Sequence, residues 1–328
     1  MHTTSPLRIV SLLPAATEIV AALGMRDCLV GRSHECDEPS DVATLPALTA
    51  PRIDASASSR EIHEQVGRTI SAPAVVGDAG SCATGSANGL FALDMEALAR
   101  LAPDIVLTQA SCDVCAIAAG DVAAAANRMA NVPRVVSLSA ESLAGLRADI
   151  LAVGAATGRL GRARELVARL QARSHSVACR VRTLMRGNGD RPPRVAVIEW
   201  LDPPMAAGNW VPELVRIAGG DDVLGRAGGH SHWITWNDVA AVDPDVVVLV
   251  PCGFTLDRVV AEAASADVQP HLQGLRAARD GRVWAIDGHH LFNRPGPRLI
   301  DSLEVLAAIL HPGAFAFPAV SRFARRLA

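Results

Sequence analysis

The sequence predicts an α/β protein with two Rossmann-like lobes, each with a central, mostly parallel sheet, joined by one long rigid helix. Three observations support this fold class. A helix, a Pro-Asp pair and an apolar strand occur together near residues 95–109 and again at 236–250. A chain of 328 residues is long for one hydrophobic core and comfortable for two. Between the copies, residues 162–186 have apolar side chains at helical spacing and no proline.

The repeated unit has the same order of signals in both copies. Pro103-Asp104 ends the first helix, because proline disfavours helical geometry in the residue before it. The apolar run 105–107 then suits a parallel strand that is covered on both faces. Pro244-Asp245 and the run 246–250 repeat this arrangement. The repeat predicts two similar α/β halves.

The sequence also predicts strands and helices before and after each copy of the repeat. In the first lobe we expect strands at 8–12, 29–32 and 134–138, and helices at 15–23, 59–70 and 117–129. In the second lobe we expect strands at 194–200 and 282–286, and helices at 211–218, 257–264 and 297–310. The predicted boundaries are 8–139 for the N-terminal lobe, 140–188 for the linking helical segment and 193–312 for the C-terminal lobe. Residues 313–328 are expected to form a loosely attached basic tail.

Composition excludes several classes of function. The net charge is −3, which gives no reason to expect nucleic acid or an anionic membrane as a partner. All 31 basic residues are arginine and there is no tyrosine, so a P-loop lysine, a Schiff-base lysine and a catalytic tyrosine are excluded. No apolar run approaches the roughly 18 residues that membrane insertion requires. The seven irregularly spaced cysteines argue against a disulfide framework and fit a reducing compartment.

The N-terminal segment is the only candidate for a secretion signal. Pro14 and Glu18 interrupt its apolar region, and it reads better as a strand followed by a helix that starts at Pro14. The sequence as it stands therefore predicts a cytoplasmic protein. A truncated start site would instead make the protein periplasmic or extracytoplasmic.

Two groups of metal-ligating residues follow strands of the first lobe. His34 and Cys36 come after the second strand, and Cys112 and Cys115 form a Cys-x-x-Cys pair after the 105–109 strand. Imidazole and thiolate are ligands for zinc, copper or iron, so these residues form a candidate zinc or iron site. The alternative is that they are half-buried loop residues, since cysteine often packs as a small hydrophobe.

Six segments in order resemble those of the Fe/B12-type (class III) periplasmic substrate-binding proteins, in particular the cobalamin-binding branch. The resemblance covers about residues 8–312. The segments are Val10–Glu18, Asp37–Pro39, Leu101–Asp104, the 162–186 helix, Ala218–Gly220 and Asn293–Arg298.

The resemblance implies a binding protein without catalytic chemistry. It implies a corrinoid or related small-molecule metal chelate held in a cleft between the lobes, no required cofactor, a monomer, and ABC permease subunits as partners. Members that dock on an importer use one acidic residue on each lobe. Glu96 matches the first position, whereas the repeat places Asn237 at the second, with Asp238 beside it as a substitute.

The predicted ligand-binding residues lie at or near strand ends, where ligands bind in open α/β sheets. In related proteins we would expect aromatic side chains at the positions that Glu35 and Gln109 occupy in this chain. For the histidines the alternative is a solvated loop, and for Arg294 it is a structural ion pair with Asp287 or Asp301. The predicted residues are His34, Glu35, Gln109 and Cys112 in the first lobe, and Glu199, Trp200, Trp210, His232, Trp233, Phe292, Asn293 and Arg294 in the second.

Two other functions remain open from the sequence. One is a cytosolic metal-binding or metal-trafficking protein that uses His34, Cys36, Cys112 and Cys115. The other is an enzyme on the same scaffold. The sequence has no Gly-x-Ser-x-Gly elbow, no Walker motif and no Gly-x-Gly-x-x-Gly after the first strand, so we expect no enzymatic activity.

Overall fold

The computed structural model describes residues 6–71, 89–110, 119–188 and 191–328. The chain divides into two units. Unit 1 consists of Met1–Ala57, Glu64–Ala140 and Ala144–Val167, and unit 2 of Ser58–His63, Glu141–Leu143 and Ala168–Ala328.

Unit 1 has a four-stranded parallel sheet in the order β2-β1-β5-β6, and a separate antiparallel pair, β3 with β4. The strands are β1 (Ile9–Ser11), β2 (Leu29–Arg32), β3 (Thr49–Pro51), β4 (Phe91–Leu93), β5 (Ile105–Gln109) and β6 (Arg134–Leu138). The helices that begin in the first half of the chain are α1 (Pro14–Ala22), α2 (Ser59–Ser71), α3 (Met95–Leu101), α4 (Ala119–Ala126), α5 (Leu143–Ala156) and α6 (Leu160–Asn188), with short 3-10 turns at Arg26–Cys28 and Ser40–Thr44.

The core of unit 1 forms where the central strands meet the helices. Val10 and Val106, on neighbouring strands, pack with Leu98 of α3 and Val122 of α4. All four side chains are fully buried. This explains why the strands are short apolar runs rather than alternating ones, since a parallel sheet is covered on both faces.

Unit 2 has a larger mixed sheet in the order β10-β8-β7-β11-β12-β13, with β9 also paired to β7. Strands β7, β11 and β12 are parallel, whereas β8, β10 and β13 run antiparallel to their neighbours. The strands are β7 (Arg194–Leu201), β8 (Pro204–Ala206), β9 (Asp221–Asp222), β10 (His232–Trp233), β11 (Val246–Leu249), β12 (Val283–Ile286) and β13 (Ala324–Arg326). The helices are α7 (Val211–Ile217), α8 (Trp236–Ala241), α9 (Leu256–Ala263), α10 (Gln269–Gly274), α11 (Arg276–Arg279), α12 (Leu299–Leu310) and α13 (Pro318–Phe323).

The predicted repeat is confirmed at the level of single residues. Helix α3 leads into β5 as α8 leads into β11. Ala102 and Asp243 each directly precede their Pro-Asp pair, and both adopt a left-handed backbone with φ of 40°. In each copy the Pro-Asp pair then turns the chain into the buried strand.

The aspartate of each Pro-Asp pair joins two neighbouring strands. The Asp104 carboxylate accepts the Arg8 backbone N–H at 2.8 Å, and the Asp104 N–H donates to the Arg8 carbonyl at 2.8 Å. Asp245 makes the same two contacts with Arg194, also at 2.8 Å. We call each pair an Arg–Asp clamp. Each clamp fixes the start of one strand against the start of its neighbour.

The clamp of unit 2 has additional partners. Arg191 binds both oxygens of Asp245, at 2.7 and 3.0 Å, and Arg276 binds one of them at 2.9 Å. Partial burial would raise the pKa of the Asp245 carboxyl, but the hydrogen bonds from Arg191, the Arg194 N–H and Arg276 outweigh it and hold the pKa well below its usual range.

The long helix is confirmed as α6, which has 29 residues and is roughly 43 Å long. It contributes residues up to Val167 to unit 1 and residues from Ala168 to unit 2. Within unit 2, Arg173 binds Asp301 and Glu304 of α12 at 2.6 and 2.7 Å. No helix in the described ranges combines the length and apolar character needed to cross a membrane.

The prediction of a loosely attached basic tail is wrong. Residues 318–323 form α13, and β13 pairs antiparallel with β12 through Trp284–Arg326 and Ile286–Ala324. Phe315 and Phe323 are buried. The clustered arginines suggest a solvated end, and Arg325 and Arg326 are indeed exposed, but Phe323 and Ala324 are buried and attach the segment to the sheet.

The two clamps predict unequal losses of stability. Asp245→Asn should lower the free energy of unfolding by about 2–3 kcal/mol, because the buried Asp245 charge accepts hydrogen bonds from Arg191, Arg276 and the Arg194 N–H at once. Asp104→Asn should cost only about 1 kcal/mol, because Asp104 is exposed and its side chain binds one backbone N–H. Urea denaturation followed by circular dichroism measures both.

The matched pair also tests the cause. Asp245 has a lowered pKa, so its stabilising effect is complete above about pH 4, the usual aspartate range, and declines as the pH falls further. The difference in the free energy of unfolding between wild type and Asp245→Asn should therefore become smaller at low pH. Equal losses for the two variants at neutral pH would contradict the role assigned to the buried network.

Candidate functional site

The predicted ligand-binding residues of unit 1 follow the carboxyl ends of its parallel strands. His34 and Glu35 come directly after β2, and Gln109 is the last residue of β5. All three are half-buried. This sheet edge is where open α/β folds place their ligands.

His34 is held in position by two neighbours. Its Nδ1 lies 2.6 Å from the Thr49 hydroxyl, and its ring packs on Phe91 with centroids 5.3 Å apart. The pKa of His34 is lowered, mainly because the side chain is buried. The charge of Glu35 opposes this shift, and the charge of Arg32 adds to it. The imidazole is therefore neutral at pH 7, and Nε2 is the ring nitrogen left for a ligand.

Cys36 faces the core rather than the sheet edge. Its side chain is 2% exposed, and its sulfur accepts a hydrogen bond from the Thr17 hydroxyl at 3.0 Å. The other thiols of the predicted zinc or iron site, Cys112 and Cys115, lie outside the described residues. Within either unit, the described part of the chain brings no three His, Cys, Asp or Glu side chains within metal-binding distance of one another. The metal site stays a prediction. The four cysteines in the described ranges (28, 36, 179 and 252) are free thiols.

In unit 2, Glu199 and Trp200 lie near the end of β7. The Glu199 carboxylate accepts a hydrogen bond from the Ser231 hydroxyl at 2.9 Å, which supplies the partner that a carboxylate after an apolar strand requires. Trp200 donates its indole N–H to the Ser59 carbonyl at 3.1 Å, and its ring meets Phe254 edge-on. Both side chains are half-buried at the predicted edge.

Trp210 and Phe292 have a structural role in the packing of unit 2. The indole N–H of Trp210 donates to the Phe292 carbonyl at 2.6 Å, and both side chains are buried. Phe292 has a positive φ of 62°, and its N–H donates to Ser302. The two residues shape the loop after β12 and present little open surface to a ligand.

Asn293 and Arg294 complete that loop. The Asn293 amide donates to the carbonyls of Val250 and Gly288 at 3.1 and 2.9 Å, so it ties the loop to the end of β11. The Arg294 guanidinium is buried, with a nitrogen 3.0 Å from Nε2 of His289. Asp301, one of the two ion-pair partners considered for Arg294, binds Arg173.

Buried Asp287 organises the same loop from below. It accepts the backbone N–H groups of His289 and His290, at 3.0 and 2.8 Å, and contacts Nδ1 of His290 at 3.0 Å. Burial would raise the pKa of Asp287, but the hydrogen bonds and charge of His290 and the Leu256 N–H outweigh it and lower that pKa. The loop is therefore built around a carboxylate that is charged at neutral pH.

His232 and Trp233 form β10 at the edge of the sheet of unit 2. The Trp233 side chain is 53% exposed, and its ring meets His63 edge-on with centroids 4.7 Å apart. Nδ1 of His232 is buried without a hydrogen-bond partner in the described part of the chain. Burial and the charge of Arg226 lower the pKa of His232, so its ring is neutral. A buried nitrogen of this kind requires a partner, which a ligand or water can supply.

Residues 58–63, at the start of α2, also pack within unit 2, a placement that the sequence does not predict. The backbone N–H and the hydroxyl of Ser59 donate to the Glu262 carboxylate, the N–H at 2.8 Å, and Ser59 is fully buried. Arg60 binds Asp202 at 2.8 Å. Ser58 and Glu61 form a capping box, a pattern that marks the helix start in the sequence. No local pattern indicates the distant partners Trp200 and Glu262.

A model of the periplasmic binding protein family matches residues 9–289. The chain belongs to the periplasmic binding protein family. This confirms the resemblance found in the sequence at the level of the family. Because members of this family bind substrates, membership supports the expectation that the protein is not an enzyme.

Individual relatives of this periplasmic binding protein differ in what they bind. It is 24% identical over 315 residues to the uncharacterized ABC transporter substrate-binding lipoprotein YvrC of Bacillus subtilis strain 168, covering 94% of this chain and 82% of that one. A periplasmic heme binding protein from Pseudomonas aeruginosa has a TM-score of 0.69 at 22% identity, with 94% of each chain covered. The periplasmic vitamin B12 binding protein BtuF of Vibrio cholerae has a TM-score of 0.63 at 17% identity, with 92% of this chain and 96% of that chain covered. These likenesses confirm the predicted fold class.

The prediction of a cytoplasmic location is wrong. The matching family is one of periplasmic proteins, and the similar proteins are a lipoprotein and periplasmic binding proteins. The prediction depended on the N-terminal segment and on the cysteine count. Neither is a property of the fold, whereas the family relationship extends over most of the chain.

We expect the hydrogen bonds between Glu262 and Ser59 to contribute measurably to the stability of the protein. Glu262→Ala should lower the free energy of unfolding by about 1–2 kcal/mol, because it removes the acceptor for two buried donors at a helix start. It should also shift tryptophan emission, because Trp200 binds the carbonyl of the same serine. Urea denaturation followed by fluorescence measures both effects.

Glu64→Ala is the matched control for Glu262→Ala. Glu64 lies in the same helix, but its only ion pair described here is a long, exposed one with Arg68 at 3.7 Å. We expect a loss below about 0.5 kcal/mol. A loss as large as that of Glu262→Ala would show that the buried contact has no special role.

Proposed function

We propose that this protein is the substrate-binding component of an ABC importer and that its ligand is a corrinoid. The importer role is supported by family membership and by the similarity to a relative named as an ABC transporter substrate-binding lipoprotein. The observation that supports the ligand class best is at β10 of unit 2. There an exposed tryptophan lies beside a histidine whose buried ring nitrogen has no partner in the described residues.

Each of these two residues offers its own contact to a flat metal chelate, and as neighbours on one strand their side chains point to opposite faces of the sheet. An exposed indole offers a face on which a large conjugated ring can stack. A neutral imidazole can serve as a ligand to cobalt or iron, or can accept a hydrogen bond from the chelate. Both functions require the side chain to be held by its strand, which the pairing of His232 with Ala206 provides.

The charges at the strand ends favour a corrinoid over haem. Each unit has a carboxylate near the end of a strand, Glu35 after β2 in unit 1 and Glu199 in β7 of unit 2. The propionates of haem are anionic and would be repelled, whereas the amide side chains of a corrinoid can donate hydrogen bonds to carboxylates. Gln109, at the end of β5, carries a side-chain amide that can also form hydrogen bonds with the amide groups of a corrinoid. A binding site can reject a ligand of similar shape by placing a charge that repels it.

For docking on permease subunits, the two predicted acids differ in availability. The Glu96 side chain is 63% exposed on the first turn of α3 and lies 3.6 Å from the Arg100 guanidinium. Asp238 is committed to a capping box: its carboxylate accepts the N–H and hydroxyl of Thr235 at 2.8 and 2.7 Å. These hydrogen bonds lower the pKa of Asp238. Glu96 is therefore the docking residue that we favour.

Ligand binding is tested by titration with cyanocobalamin. Tryptophan emission should be quenched, and Trp233→Ala should weaken binding by about tenfold, the factor that loss of one stacked ring typically produces. Val132→Ala, which shortens another exposed apolar side chain, should leave the affinity unchanged. Haem added under the same conditions should bind more weakly. Tighter binding of haem would overturn the corrinoid proposal, and binding of neither would overturn the ligand class.

Docking is tested with the permease complex in lipid nanodiscs. Glu96→Ala should weaken association by at least about tenfold and leave cyanocobalamin affinity unchanged, because only the docking charge is removed. Asn237→Glu restores an acid at the equivalent position of α8 and should strengthen association. Glu165→Ala, an exposed acid on α6, is the control. Unchanged association for both Glu96→Ala and Asn237→Glu would refute this docking surface.

A further inference from the structure

His175 and Cys179 form a pair of metal-ligating side chains outside the strand-end edges. Both lie in the part of α6 that belongs to unit 2, one helical turn apart. Nε2 of His175 is 3.2 Å from the sulfur of Cys179. His175 is exposed and Cys179 is half-buried, whereas Val177 between them is buried and faces the core. The pair is open to solvent and has no role in the proposed ligand site.

The separation of the two atoms fits a single metal ion. With Zn–S of about 2.3 Å and Zn–N of about 2.05 Å, the sulfur and nitrogen of one zinc site lie about 3.1 Å apart at a right angle and about 3.6 Å apart at the tetrahedral angle. The observed 3.2 Å lies in this range. The spacing is also fixed by the backbone, since residues four apart on a helix are surface neighbours.

We propose that His175 and Cys179 form a two-ligand binding site for zinc. On binding, the thiol proton leaves to solvent, the thiolate and the imidazole nitrogen each donate an electron pair to the ion, and water fills the remaining positions. The ion then joins two successive turns of α6. The bound metal braces the helix and leaves coordination positions facing solvent.

The surroundings set the expected affinity. Residues 168–188 contain five arginines and no acidic residue, so the local charge opposes a dication. The Arg180 guanidinium is 4.9 Å from the centre of the Phe315 ring, and Thr183 donates its hydroxyl to the Cys179 carbonyl, so neither residue adds a ligand. With two protein ligands rather than four, the site should bind zinc with a dissociation constant on the order of micromolar.

The first experiment is a zinc titration against a chromophoric chelator. It uses the full chain with Cys112→Ser and Cys115→Ser, so that the separate predicted metal site does not contribute. Cys179→Ser and His175→Gln in this background should each lose one micromolar site, with affinity weakened at least about tenfold. Cys28→Ser, which removes another half-buried thiol, should retain it. Equal titrations for all variants would overturn the proposal.

A second measurement needs no substitution. Zinc should slow the alkylation of Cys179 by iodoacetamide, measured by mass spectrometry of its peptide, because the thiolate is held by the metal. Alkylation of Cys28 in the same sample should be unaffected. Cobalt in place of zinc should give a thiolate-to-metal absorption band that Cys179→Ser abolishes. Unprotected Cys179 together with no such band would contradict the site regardless of how the variants fold.

Discussion

The Arg–Asp clamp is the interaction on which both sheets depend. A parallel strand lacks a hairpin to set its register, so another contact must align it with its neighbour. Here a carboxylate after a proline binds the backbone at the start of the adjacent strand, and the register of the following residues is then fixed: Val106 lies beside Val10, and Val246 beside Val195. Gln109 at the end of β5 and Glu199 in β7 lie on strands that this alignment joins. A slip of one residue would turn the buried valines toward the wrong face.

Much of the fold could be predicted because its signals are local. The Pro-Asp turns, the apolar strands and the pattern of α6 are each contained in one stretch of sequence, and each was found. The C-terminal strand β13 was not, because three residues with two arginines are too short to show a pattern, and only pairing with β12 reveals the strand. Its edge position explains why charged residues are tolerated there.

The site was predictable to a smaller extent, for a physical reason. Strand ends can be located from sequence, so Glu199 was placed near the end of β7, whereas Trp233 was expected in a loop and lies in the short edge strand β10. Whether a side chain is open or buried depends on distant residues. Trp210 and Trp233 look alike in the sequence, yet the first is buried against the Phe292 carbonyl and the second is exposed. The packing of Ser59 under Glu262, which are 203 positions apart, has no local signal at all.

The short antiparallel strands of unit 2 have a consequence for the behaviour of the protein at high concentration. β10 closes one side of the mixed sheet and β13 the other, so the long inner strands have no free backbone edge. An open edge of apolar strands such as Val283–Ile286 would be a template for pairing with other chains. The two arginines of β13 add charge to the outermost edge. The segment 324–326 thus covers the backbone edge of β12, and removing it would leave that edge open to pairing with other chains.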